Sequence, residues 1–553
     1  MLAALQAQAL DVLQVVPADV WGVAVVRNGA DFQRQWDALS EQLPLPFPNL
    51  ATVQLAEVQG IDWDGSFAVA WLPAEERGGA VNVVFLAVRD PAELQKSIGT
   101  GEAVAGLLPV TVAGRTMLMG FRDGYAVLVA DADQAVLKKT LEAPQTLAAP
   151  LRPLEAHLRE TAAFVATTPR GIRMVQQQVL AGLEIARQQA EMMPQGAAAG
   201  FEMYEVLFSS LDQEVTHAMA GLRREEDGSL RLVLSTLFAE GGVLAELART
   251  AEPPQVEMFR GLPASEFFFA AGGSVPQAWS QHVLALSMRA SEIYFDSERL
   301  DEAQRQQLAE LNALSVRRVH AMAMQMGLTK PDQPLYGNST LVMHVDDAPA
   351  YIEDYARAME QMGVWLRQLD DPPFSYTSER IEIAGRPGLR FDLRMAGLFG
   401  PADTPPEVEP MFQAMFGSAE QLSFFMAASD ERTVLGTYVS QQPLEKMLAQ
   451  PAPAFDSLPT VSRTLALLPA DAQAIGVWSV RGMFAYYQRI LGAVAPEPGM
   501  FAFPEFPASP PIGLAIGFSE RSGRADVVLP RELLEALATF VLEQAAGPGW
   551  QQN

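Results

Sequence analysis

Between Val81 and Ala143 the chain runs through a strand, a capped helix, a hairpin and a second helix, and this order constrains the fold more than any other feature. In the strand VNVVFLAV, Val81, Val83, Phe85 and Ala87 alternate with Asn82, Val84, Leu86 and Val88. Both faces are therefore largely apolar, which places the strand well inside a sheet. Asp90 is positioned to cap the next helix, Pro91 suits its first turn, and Glu93 stands where a capping box needs an acid. The dipeptides Ala113-Gly114 and Asp123-Gly124 supply the positive φ of tight hairpin turns. Asp131 with Gln134 repeats the cap spacing at the second helix. Strands of a mainly antiparallel sheet with helices packed on one face make an α+β layer.

The theme recurs. Near the start, VPADVWGVAVVRNGADFQRQWDAL parallels LPADAQAIGVWSVRGMFAYYQRIL near the end. Ala384-Gly385-Arg386 echoes Ala113-Gly114-Arg115, and QLSFFMAASDERTVLGTYV followed by QQPLEKMLAQ echoes the hairpin and its helix. Thr168 and Pro169 open a long helix, and Asp227-Gly228 turns a hairpin. The most helical stretch runs from Gln277 to Gly327, where Asp301 and Gln304 form a capping box between two helices. The expected fold class is α+β, with duplicated antiparallel sheets, helices on one face and a central long-helix segment. The two halves are drawn at residues 10–250 and 255–545.

Composition narrows the partners. At 553 residues the chain exceeds one ordinary domain, and 49% hydrophobic residues are ample for a core. The net charge of −27 disfavours nucleic acid, which needs a concentrated basic surface, and disfavours an anionic membrane surface. The absence of cysteine excludes disulfides, thiolate catalysis and cysteine-ligated metals. No apolar run of about 18 residues predicts an integral membrane segment. Met1 to Ala9, with Ala7-Gln8-Ala9 as a cleavage-like site, reads either as the tail of a secretory signal or as an ordinary helix start.

The Pro-Ala-Asp opening with its GVAVV strand resembles uncharacterised exported proteins common in planctomycetes. So do VAGRTMLMGFRDGYAVLVADADQAVL, LVLSTLFAEGG, GLPASEFFFAAGGSVPQAW and QLSFFMAASDERTVLGTYVS. The resemblance covers most of the chain through diffuse strand and turn patterns. It implies a precursor with a signal peptide and a periplasmic or secreted location, and it brings no activity and no catalytic residues.

Motifs for chemistry are missing. The histidines His157, His217, His282, His320 and His344 lack HxH or HExxH spacing, and His282 and His320 are expected on helices. His344 precedes Asp346-Asp347, but Asp347 is better explained as a cap before Ala348-Pro349. Asp62 and Asp64 resemble a fragment of a calcium loop without its closing acid, and a polar turn explains them better. Asp370-Asp371 before Pro372 reads as a helix exit. There is no GxSxG elbow, no P-loop and no complete dinucleotide fingerprint, so no catalytic residue, metal ligand or cofactor is predicted.

One apolar feature stands out. Met322, Met324, Met326, Met343, Met359 and Met362 cluster in sequence, and Phe399, Met411, Phe412, Met415 and Phe416 flank a proline-rich acidic loop. Surfaces rich in methionine and phenylalanine adapt to apolar ligands or partner helices. Packing of an irregular core beside a loop is the competing explanation. The leading expectation is an exported, non-catalytic interaction or scaffold protein with a protein partner. A binding protein for an apolar ligand comes second, and a hydrolase with an unrecognised site third.

Overall fold

The computed structural model describes residues 11–43, 55, 57–74, 79–103, 106–112, 114–190, 204–205, 208–252, 257–276, 279, 303, 306, 310, 313, 318–367, 375–394, 408–418, 420–450, 453–494 and 504–546. The signal-like start, Ala113, His282, the Asp301–Gln304 cap, nearly all of the central helical stretch before residue 318, Asp370-Asp371 and Phe399 lie outside them.

The chain packs as two compact units. The first comprises residues 1–179, 209–246 and 520–553, and the second comprises 180–208 and 247–519. The division differs from a split near residue 250, because the last strand and helix belong to the first unit. Every strand pairing among the described residues is antiparallel.

In the first unit the strands are β1 (Gly22–Val26), β2 (Phe67–Ala74), β3 (Gly79–Ala87), β4 (Leu108–Val112), β5 (Arg115–Arg122), β6 (Tyr125–Ala130), β7 (Ala163–Thr167), β8 (Val215–Arg224) and β9 (Leu230–Phe238). Their order across the sheet is β4-β5-β6-β3-β2-β1-β7-β8-β9. In the second unit they are β10 (Phe267–Ser274), β11 (Val319–Gly327), β12 (Ser339–Val345), β13 (Ser375–Ile383), β14 (Arg386–Arg394), β15 (Gln421–Ala428), β16 (Thr433–Tyr438), β17 (Ala474–Trp478) and β18 (Ile512–Ser519). Their order is β13-β14-β15-β16-β12-β11-β10-β17-β18. Finally β19 (Ser522–Leu529) pairs with β9 and extends the strand order of the first unit.

The interior place of β3 follows its sequence, since it pairs with both β2 and β6. Helices cover both faces, which corrects the one-face expectation. In the first unit, α1 (Gly29–Gln42) follows β1 and α2 (Pro91–Ile98) follows β3. Leu94 and Ile98 of α2 pack with Leu86, Met119 and Leu128. The opposite face carries Val83, Phe85, Val127 and Val129 against Leu137 of α3 (Gln134–Glu142), with Leu147, Leu151 and Leu154. The physical reason is the alternation itself: a strand apolar on both faces needs a cover on each.

Local signals are mostly obeyed. Asp90 accepts from the N–H groups of Ala92 and Glu93 at 2.9 and 3.2 Å, but its own N–H goes to the Gly60 carbonyl, so only half of a capping box forms. Asp131 is no cap. It opens a 3-10 turn, Asp131–Asp133, that leads into α3 without a capping side-chain bond. Asp123, Gly124, Ala384 and Gly385 all take positive φ, as two-residue hairpin turns require. The two Ala-Gly-Arg turns are not at matching places, however. The first joins β4 to β5, and the second joins β13 to β14, one strand farther from the sheet centre. Likewise the VPAD segment leads into β1 and the LPAD segment into β17, which sits where β7 sits in the other sheet order.

Residues Val319–Gly327 form a strand, not the end of a helix. The run VHAMAMQMG alternates strictly, with Val319, Ala321, Ala323 and Gln325 buried and His320, Met322 and Met324 exposed. Its period is two, and a helix would have mixed the faces.

In each unit a helix start presses on strand backbone. Thr168 precedes α4 (Pro169–Ala190); its hydroxyl donates to the Val20 carbonyl at 2.6 Å and accepts from the Gly171 N–H at 3.3 Å. A Cβ on Gly171 would overlap the Trp21 carbonyl oxygen just before β1. In the second unit Ser479 accepts from the Gly482 N–H at 3.0 Å, and a Cβ on Gly482 would overlap the Phe267 carbonyl oxygen in β10. Each glycine is required by a close approach to backbone, which cannot yield as a side chain would. Gly171→Ala and Gly482→Ala are each expected to lower unfolding free energy by about 3 kcal/mol. Urea titration of each variant beside Gly182→Ala, where a Cβ meets nothing within 4 Å, checks this.

Candidate functional site

The α2 helix covers only part of its face. On the same side, β3, β2, β1, β7 and β8 present two rows of apolar residues in register. One row is Leu86, Phe67, Val26, Ala163 and Leu222; the other is Val84, Val69, Ala24, Val165 and Ala220. These residues line an open groove of about 590 Å³, flanked by Phe32 of α1 and by Trp63, whose ring sits 5.4 Å from that of Phe67. Val165 is 42% exposed and Leu234, across from Ala220, is 37% exposed. The core residues of the same strands, Val23, Val25, Phe164 and Met219, point the other way. Alanines at 24, 163 and 220 lower the floor, and the larger side chains form its walls.

The second unit has its own groove, of about 280 Å³, on β12, β11, β10, β17 and β18. Its floor is Ala271, Gly273, Ala474 and Gly476, with Met322, Met324, Leu514 and Ile516 beside them. Trp478 lies on Phe269 with ring centroids 4.9 Å apart and fills the third row. Among the described residues neither groove is lined by a charged side chain. Apolar surface shaped this way can bind hydrocarbon by the area it buries.

Titratable groups sit elsewhere. Arg231, nearly buried, pairs with Glu225 and with Asp526 at 3.1 Å, and Arg524 reaches both oxygens of Asp526 at 2.6 and 2.9 Å. Burial would raise the Asp526 pKa, but Arg524 and Arg231 outweigh it and hold the carboxyl below the usual range. This network ties β19 to β9. Beside it the Ser235 hydroxyl lies 2.8 Å from His157 Nδ1, but Ser235 is 1% exposed and Asp526 is engaged by arginines, so no accessible nucleophile results.

Asp62 and Asp64 both pair with Arg89, at 2.8 and 3.4 Å, which accounts for the acidic turn. Asp347 caps the helix Ala348–Leu366 by accepting from the Ala350 N–H at 2.9 Å. His320, on β11 rather than a helix, bonds Asp346 at 2.6 Å. Among the described residues no group of three or more acids and histidines could hold a metal ion, and no helix is long and apolar enough to cross a membrane.

Met411, Phe412, Met415 and Phe416 lie half-buried on the helix Val408–Phe416. Phe416 stacks near Tyr336 at 5.0 Å and near Phe412 at 5.5 Å. These four line neither groove. Of the methionine cluster, Met322 and Met324 do, while Met343 and Met362 are core. The residues of the larger groove went unnoticed, although the doubly apolar alternation of GVAVV and AAFVAT was a usable signal. Set against family models, curated proteins and solved structures, the chain matches none of them.

Burial lowers the pKa of His157, His217 and His344 from the ordinary value of 6.5, and Arg524 adds to the effect at His157. With depressed folded values, the unfolded chain takes up protons first, so stability is present above the ordinary value and is lost as pH falls below it. The urea midpoint is expected to drop between about pH 7.5 and 5, and His344→Gln to flatten part of that drop. Asp526→Asn leaves Arg231 and Arg524 without their shared carboxylate and is expected to cost about 3–5 kcal/mol in the same assay at neutral pH.

Proposed function

We propose that this chain is a non-catalytic, exported binding protein for apolar ligands, built from two duplicated α+β units. The observation that carries the reading is the presence of an apolar groove on corresponding strands of each unit. β3, β2, β1, β7 and β8 make the larger groove, and β12, β11, β10, β17 and β18 make the smaller one.

Duplication is supported by the strand orders: β4-β5-β6-β3-β2-β1-β7-β8 corresponds to β14-β15-β16-β12-β11-β10-β17-β18, with β13 additional in the second unit and β9 and β19 additional in the first. One buried contact also recurs. Thr168 and Gly171 against Trp21 correspond to Ser479 and Gly482 against Phe267. Shared ancestry explains such a paired exception better than a common fold preference does.

Export and kinship with the planctomycete proteins rest on the sequence resemblance; absence of cysteine is compatible with them and does not select them. Cell fractionation with an antibody against the chain tests the location, and a purely cytosolic signal would remove that part.

The binding reading predicts two sites for an uncharged apolar probe such as N-phenyl-1-naphthylamine. Val165→Glu and Met324→Glu each put a charge into one groove at an exposed position, where substitution changes stability little. Each variant should lose one site by fluorescence titration and keep the other. Binding that survives in the double variant, or no binding by the unaltered chain, would sink the proposal.

A further inference from the structure

The larger groove does not end at its apolar rows. It shares Leu55, Val69, Val84 and Leu86 with a second cavity of about 760 Å³ in the same unit. Along that face the chemistry changes. On β3, Asn82 continues the row of Val84 and Leu86, and on β5, Arg115 continues the row of Met117; Asn82 and Arg115 are both exposed. Among the described residues Arg115 has no ion pair, whereas Arg386 of the other Ala-Gly-Arg turn is committed to the carbonyls of Ala428 and Ser429. Asp133, also on the cavity wall, is already engaged.

We propose that the first unit binds a single-chain anionic amphiphile, with its alkyl chain along the apolar groove and its anionic head against Arg115 and Asn82. The inference rests on the apolar-ligand reading above and adds the charge and position of the head group. A hydrocarbon chain suits the groove better than an extended peptide does. The backbone groups of these inner strands are spent on their neighbours, and the side chains offer no donors or acceptors, so a peptide there would bury unsatisfied N–H and C=O groups. An alkyl chain has none to satisfy. Across five strands the groove spans about 19 Å, close to the length of a 16-carbon chain. At the far end a guanidinium with a side-chain amide on the same face matches an acidic oxygen head.

Isothermal titration of the full chain with palmitate, hexadecyl phosphate and 1-hexadecanol, each below its aggregation threshold, tests this. At least one anion should bind about 10-fold more tightly than the alcohol, and which anion does so distinguishes a fatty acid from a phosphate-headed lipid as the source. Arg115→Met should abolish that preference and leave the alcohol unaffected; Arg115 is exposed, so the variant folds, and circular dichroism confirms it. Added salt should shrink the preference as well. Equal binding of alcohol and anions, or a preference that persists in Arg115→Met, overturns the head-group proposal while the groove reading stands. Failure of all three chains to bind overturns both, and Val165→Glu should reproduce that failure at this site in a folded protein.

Discussion

A helix start pressed onto strand backbone in each unit sets the geometry on which the rest depends. Gly171 meets the carbonyl before β1, and Gly482 meets the carbonyl of Phe267 in β10. Because the contacts are to peptide oxygens, they hold each helix against a strand pair, β1 with β7 and β10 with β17. Register follows. A slip of one residue in β1 would send Val23 and Val25 to the groove and Ala24 and Val26 to the core. The groove floor exists because the small residues are held on the correct face.

Both faces of these sheets are apolar, and each is covered only in part by the described helices. α2 covers Leu86, Met119 and Leu128 on one face, and on the opposite face α3 and the segment around Leu147–Leu158 pack. The rest forms the grooves. Val165, Leu234, Met322 and Met324 expose more than a third of their surface there. Contiguous exposed apolar area of this kind carries an aggregation risk, and proteins retain it where something binds. The two grooves differ in size for a local reason: Trp478 and Phe269 fill a row in the second unit.

Charge is handled away from the grooves. The paired set of Arg231, Arg524, Asp526 and Glu225 sits where β19 joins β9, and its buried members tolerate only their own partners. A wrong strand added at that edge would remove the Asp526 carboxylate from Arg231 and leave it with Glu225 alone, so the network selects the strand as well as holding it.

The sequence by itself determined the local pieces: the Asp90 and Asp347 caps, the Asp-Gly and Ala-Gly turns, the inner position of β3, and the mixed α+β class. It also drew attention to Met322 and Met324, though on a helix, because a methionine cluster was read before its period of two. It did not locate the larger groove, and it favoured Met411, Phe412, Met415 and Phe416, which pack against Tyr336 and one another instead. Only the tertiary structure decided which apolar face stays open, which strands lie side by side, and that the last strand completes the first sheet. The reason is physical. Alternation along a strand specifies two faces and a cap specifies where a helix begins, but which helix covers which face is set by pairings between residues far apart in the chain, such as Val26 with Ala163 and Val233 with Asp526.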